Sequence, residues 1–172
     1  MSSPQYILLP VNPIFIFFSI AISFVFNLLP WGGMLGVPDF LAITLVFWCV
    51  HQPRTVGMGV AFFMGLLMDV HEAIYLGENA LTYTLLCFFA ISIHRRVLWF
   101  PVLTQTFHVL PLFFGMQLVE LFIRFWIAPN AQFPGWMYFI ECLITTALWP
   151  LVTWLLLAPQ RRAIDKDFTR PI

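Results

Sequence analysis

Long apolar runs recur along this chain, and each stops at a short turn of Pro, Gly, His or charged residues. The first, Ile14–Leu29, is broken only by Ser19, Ser23 and Asn27. Leu35–Val50, Val56–Val70, Asn79–Ile93, Val102–Ile127 and Trp136–Leu157 follow. A run of about 20 apolar residues can cross a bilayer as a helix, because a helix satisfies its own backbone N–H and C=O groups without water. The chain has 172 residues, 61% of them hydrophobic and 9% charged. Soluble domains carry about 25% charged residues, and a soluble fold of this size could not withdraw so much apolar surface from water. The expectation is therefore an all-α, polytopic membrane protein with about six transmembrane helices. Residues 1–158 form the membrane domain and residues 159–172 a short charged tail, whose last ten residues are expected to be disordered.

The first run has no Lys or Arg before Ile14 and no small-residue cleavage pattern after it, so it reads as a span rather than a signal peptide. Pro30-Trp31-Gly32-Gly33 ends it, with Trp31 as an interfacial anchor. The second and third runs are short. Leu35–Val50 covers ~24 Å of a ~30 Å core at ~1.5 Å per residue. Two short spans or one re-entrant hairpin both satisfy this pattern, and the loop chemistry favours two spans. Pro111 predicts a kink in the fifth run, and Pro150 lies within the sixth. Pro129 and Pro134 mark the loop between those two runs.

The few charges set the orientation. Arg54, Arg95, Arg96, Arg161, Arg162, Lys166 and Arg170 all fall on one side of a six-span layout. The positive-inside rule makes that side cytoplasmic, with both termini there. Asp39, Asp69, Glu72, Glu78 and Glu141 fall on the other side. The remaining cation, Arg124, follows Glu120 at i, i+4, so the two are expected to form an ion pair on one helix. Net charge is zero, which gives no electrostatic case for nucleic acid.

Gly65–Leu81, GLLMDVHEAIYLGENAL, concentrates polar residues in an otherwise apolar chain. Gly57, Ala61, Gly65 and Asp69 recur every four residues on one helix face. Small residues at this spacing allow another helix to approach closely, so they read as a packing or partner-binding seam. Gly77 supplies the turn, and Asn79 reads as the N-cap of the fourth span. His71-Glu72 begins like a zinc-protease HExxH motif but lacks its second His. No nucleophile elbow or phosphate-binding loop is present. Asp69, His71 and Glu72 could otherwise hold a cation, or form only a solvated loop. Cys49, Cys87 and Cys142 lie in apolar runs without metal spacing and read as buried apolar side chains. No catalytic residue, cofactor or metal site is expected.

The segments Gly65-Leu66-Leu67-Met68-Asp69 and Leu76-Gly77-Glu78-Asn79-Ala80-Leu81, with Pro38-Asp39 opening the second span, resemble the rod shape-determining MreD family. The resemblance extends to the length, the six-span layout and the basic tail. It implies a non-enzymatic protein of the bacterial inner membrane that binds an MreC-like partner. It further implies a place in the elongation machinery that links MreB filaments to the peptidoglycan synthases. The family's fold is similar to the substrate-binding S-components of vitamin transporters, which keeps a second function open, a small-solute transporter subunit. That alternative requires a polar pocket at mid-membrane depth, for which the sequence offers Asn27, His108 and Gln117.

Overall fold

The computed structural model describes residues 6–8, 12–30, 36–73, 76–127, 133, 135–136 and 138–163. Its elements in chain order are β1 (Tyr6–Leu8), α1 (Pro13–Leu28), α2 (Phe40–His51), α3 (Met58–Glu72), α4 (Glu78–Leu98), α5 (Val102–Ile127), α6 (Tyr138–Ala147), α7 (Trp149–Leu157) and β2 (Arg161–Ala163). The Trp31 anchor, the Gly32-Gly33 turn, Pro129, Pro134 and the tail from 164 onward lie outside the described residues.

Helix starts follow local chemistry. Asn12 Oδ1 accepts from Ile14 N at 3.0 Å, and Pro13 opens α1, where its missing N–H costs nothing. Asp39 Oδ1 accepts from Ala42 N at 2.8 Å and caps α2 in the same way. α5 runs through Pro111 without interruption. The last apolar run is divided at Leu148 into α6 and α7, with Pro150 in the first turn of α7. Proline has no N–H to return to the carbonyl four residues back, which weakens the ladder at that point.

α2 is the central element. Every residue from Leu41 to Val50 is buried. At ~1.5 Å per residue its 12 residues reach only ~18 Å, but they are covered on all sides by α1, α4, α6 and α7. The α1–α2 seam is polar at four-residue intervals. Asn27 bonds Asp39 and the Phe40 N–H, Ser23 bonds Thr44, and Ser19 accepts from the Trp48 indole. Numbers fall on α1 as they rise on α2, so the two helices are antiparallel. In a medium without water such bonds hold helices together, since an unpaired polar group there is costly. Trp149 is buried beside this core and donates to Gln105 Oε1 at 3.2 Å.

The outer surface is apolar. Phe18, Phe63, Phe107, Phe122, Trp126 and Trp154 are all more than 60% exposed. In water that would be an aggregation surface; in lipid it is the ordinary exterior. α4, α5 and the α6–α7 unit (Tyr138–Gln160) are long and apolar enough to cross a membrane, while α1 and α2 are shorter apolar helices. The fold is that of a helical membrane protein.

β1 pairs antiparallel with β2, Tyr6 opposite Ala163 and Leu8 opposite Arg161. The chain leaving α7 passes through a 3-10 turn at Ala158–Gln160 and returns beside the N-terminal segment. The start of the charged tail thus forms β2, and the two strands meet at the end of the bundle opposite Asp39.

Candidate functional site

Asp69 ends the small-residue seam, and its carboxylate is a cap for the next helix. Oδ1 accepts from Asn79 N at 2.7 Å; Oδ2 accepts from Gly77 N at 2.9 Å and Ala80 N at 3.2 Å. These N–H groups open α4 and have no partner within the helix, and an anion there also meets the favourable end of the helix dipole. Ala73 closes α3 in the left-handed region at φ 54, and Gly77 turns into α4 at φ 100. A side chain at Gly77 would be strained, which accounts for the Leu-Gly step. The expected N-cap at Asn79 is corrected here. Gly77 holds the cap position, Asp69 supplies the oxygen from the preceding helix, and the Asn79 side chain instead donates to Glu72 at 3.1 Å.

The seam packs within the chain. Ala61 and Asp69 are buried, and a Cβ built on Gly65 would lie 2.5 Å from Ala80 Cα and 2.5 Å from Asn79 O. α4 therefore occupies the groove that the seam offers, and Ala61, Gly65 and Asp69 are closed to a partner. Gly57 is the N-cap of α3 and half-buried, with only Pro53 O within reach. The opposite face of α3, with Met58, Phe62, Phe63, Leu67 and Val70, is exposed.

The second correction concerns the ion pair. Arg124 Nε reaches Glu78 Oε1 at 2.5 Å, not Glu120. Glu78 is 4% exposed and opens α4, while Arg124 lies near the end of α5. α4 and α5 are antiparallel neighbours, so their outer ends coincide. A deeply buried carboxylate needs a cation more than a half-buried one does. Glu120 accepts from the Tyr138 hydroxyl at 2.5 Å, and the Arg124 guanidinium lies 5.9 Å from the Tyr138 ring centre.

Around this pair lies a cavity of about 350 Å³. Every long segment contributes to its wall at the same end: Asn27 from α1, Asp39 before α2, Glu72 from α3, Tyr83 from α4, Glu120 from α5 and Glu141 from α6. Asp39 is fully engaged, with Asn27, Ala42 N and Tyr83 as donors. Of the three polar residues singled out for a mid-membrane pocket, only Asn27 lines the cavity. His108 is bonded to Thr104 O and stacked on Phe100, and Gln117 donates to Tyr138 O. Among the described residues no three His, Cys, Asp or Glu side chains are grouped as metal ligands.

A family model described as rod shape-determining protein MreD matches residues 9–158. The chain belongs to the MreD family. It is 28% identical over 149 residues to the rod shape-determining protein MreD of Haemophilus influenzae, across 83% of this chain and 88% of the relative. No solved structure matches the chain. Family membership places it among the membrane proteins that determine rod shape. The matched region takes in the α3–α4 hairpin and the cavity, and ends at Ala158 as the chain leaves α7.

Sequence reasoning missed Tyr83 and Tyr138, which bond Asp39 and Glu120 in the cavity wall. A tyrosine near the start of an apolar run, with carboxylates at the ends of other runs, was the available signal.

Proposed function

We propose that this MreD family protein is a non-enzymatic inner-membrane scaffold of the cell-wall elongation machinery. In this reading the chain crosses six times with both termini in the cytoplasm. It binds an MreC-like membrane protein, and through it the MreB-linked and peptidoglycan-synthesising partners. The carrying observation is the α3–α4 hairpin. Asp69 and Gly65 lock it from within, so the exposed aromatic face of α3 forms a firm surface for another protein. A partner's single span packs against Phe63, Leu67 and Val70, which lie on one exposed side of α3.

Photo-crosslinking tests this. A crosslinker at Phe63 or Leu67 is expected to capture the MreC-like partner in cells, and one at Phe107, exposed on α5, to yield no adduct with that partner. Capture from Phe107 but not from Phe63 would overturn the assignment of the interface. The cavity favours a second reading, a small-solute transporter subunit, for which loss of a specific uptake on deletion is the test.

A further inference from the structure

α1 and α7 both pack on α2 and leave a slot between them. Phe18 and Ile22 of α1 form one lip, Leu151 and Leu155 of α7 the other, and the buried Ile43 and Thr44 of α2 the floor. The two lips run in opposite senses. Phe15 and Pro159 stand at one end of the slot, Phe26 and Leu148 at the other. At ~1.5 Å per residue, Phe15 to Phe26 spans ~16 Å. The slot holds about 340 Å³, which over that length gives a mean cross-section of roughly 20 Å². That is about 5 Å across, the girth of one hydrocarbon chain and about half the 10–12 Å diameter of a helix with its side chains. A partner's helix is too wide to enter.

The chemistry of the slot is apolar. The hydroxyls in its wall are bonded within the protein: Ser23 to Thr44 at 2.7 Å and to Ser19 O at 3.0 Å, and Ser19 between Ile16 O and the Trp48 indole. Nothing in the wall requires a polar ligand, and an alkyl chain fills the space through dispersion contacts alone. Positive charge lies at the Phe15 end. Arg161 and Arg162 open β2 directly after the 3-10 turn that contains Pro159. The neighbouring strand β1 and helix α1 contain no acidic residue. Basic residues at the end of a membrane helix meet the headgroup layer and attract anionic lipid.

We propose that the slot between α1 and α7 binds one acyl chain of an anionic phospholipid, with the phosphate headgroup at the level of Arg161 and Arg162. The bound chain lies between Ile22 and Leu155 over Ile43, and the lipid's second chain stays in the bilayer. A zwitterionic lipid fits the slot equally well but gains less at the headgroup. The site depends on the membrane setting alone and not on the scaffold reading.

The test photolabels the full chain in detergent with phosphatidylglycerol carrying a diazirine midway along one acyl chain, and maps the adducts by peptide mass spectrometry. Adducts are expected on α1 and α7 around Ile22 and Leu155. Unlabelled phosphatidylglycerol should displace the label at about fivefold or more lower concentration than phosphatidylcholine with the same chains. Ile22→Trp and Leu155→Trp, one from each lip, narrow the slot and should remove most of these adducts. Arg161→Gln together with Arg162→Gln should keep the adducts and abolish the headgroup preference. Adducts scattered equally over the exposed faces of α3, α4 and α5, or adducts unchanged in both tryptophan variants, would overturn the slot. Equal displacement by the two lipids would overturn the anionic assignment, as would a preference that survives loss of both arginines. Should the variants fail to fold, the adduct map and the lipid competition on the unmutated protein decide alone.

Discussion

Gly65→Ala adds one methyl group where no space exists. Its Cβ would sit 2.5 Å from Ala80 Cα, 2.5 Å from Asn79 O and 2.7 Å from Ala80 N. These are backbone atoms of a helix, so no side chain can rotate away. To reach an ordinary carbon contact near ~3.5 Å, the first turn of α4 must withdraw by about 1 Å. That turn carries the N–H groups of Gly77, Asn79 and Ala80, held by Asp69 at 2.9, 2.7 and 3.2 Å. The same displacement stretches all three beyond bonding range. Overpacking costs about 1–3 kcal/mol, and a hydrogen bond to a charged group contributes about 1.5–3 kcal/mol. The terms overlap, and a loss of about 3 kcal/mol is expected. For a chain of this length that is roughly 6–12 °C in melting temperature. Gly59→Ala is the control on the same helix. A Cβ there meets nothing within 4 Å, and helix propensity favours alanine by about 1 kcal/mol. Thermal unfolding in detergent should separate the two variants in opposite directions. Equal shifts, or a Gly65→Ala protein as stable as the parent, would refute the close approach of α3 and α4.

Asp69→Asn retains one acceptor oxygen and Asp69→Ala none, so amide exchange at Asn79 and Ala80 should accelerate in the order parent, Asn, Ala; equal protection in the Ala variant would remove the capping role. A double-mutant cycle between Arg124→Gln and Glu78→Gln should show a coupling of about 0.5–3 kcal/mol in detergent stability, larger than the cycle with Glu120→Gln, and the reverse ranking would restore the intrahelical pair. Reporter fusions after Gln52 and after Glu72 should report opposite sides of the membrane, and a shared side would replace two spans by a re-entrant hairpin.

The helices and the run ends that carry polar residues were legible, because apolar run length and the residues that interrupt it are local properties of the sequence. The pairings among those ends were not. On α5 alone, Glu120 is the natural partner of Arg124 at i, i+4, and nothing local opposes it. Glu78 prevails from 46 positions away in the chain because burial at the start of α4 leaves it no other cation among the described residues. The Gly57–Asp69 seam shows the same limit. Its spacing announces that a helix will lie against it, but equally fits a partner's helix and the chain's own. What decides between them is Asp69. Its carboxylate must find N–H groups in a water-poor setting, and the α4 N-terminus, eight residues downstream at Gly77, offers three. The cavity was hidden for a related reason. Each segment contributes one or two polar residues at its end, unremarkable singly. They form a polar chamber only because six successive segments alternate in direction around the buried α2, which stacks every second end at one level. A sequence motif confined to one segment cannot carry that information, while a set of polar residues at alternating run ends can.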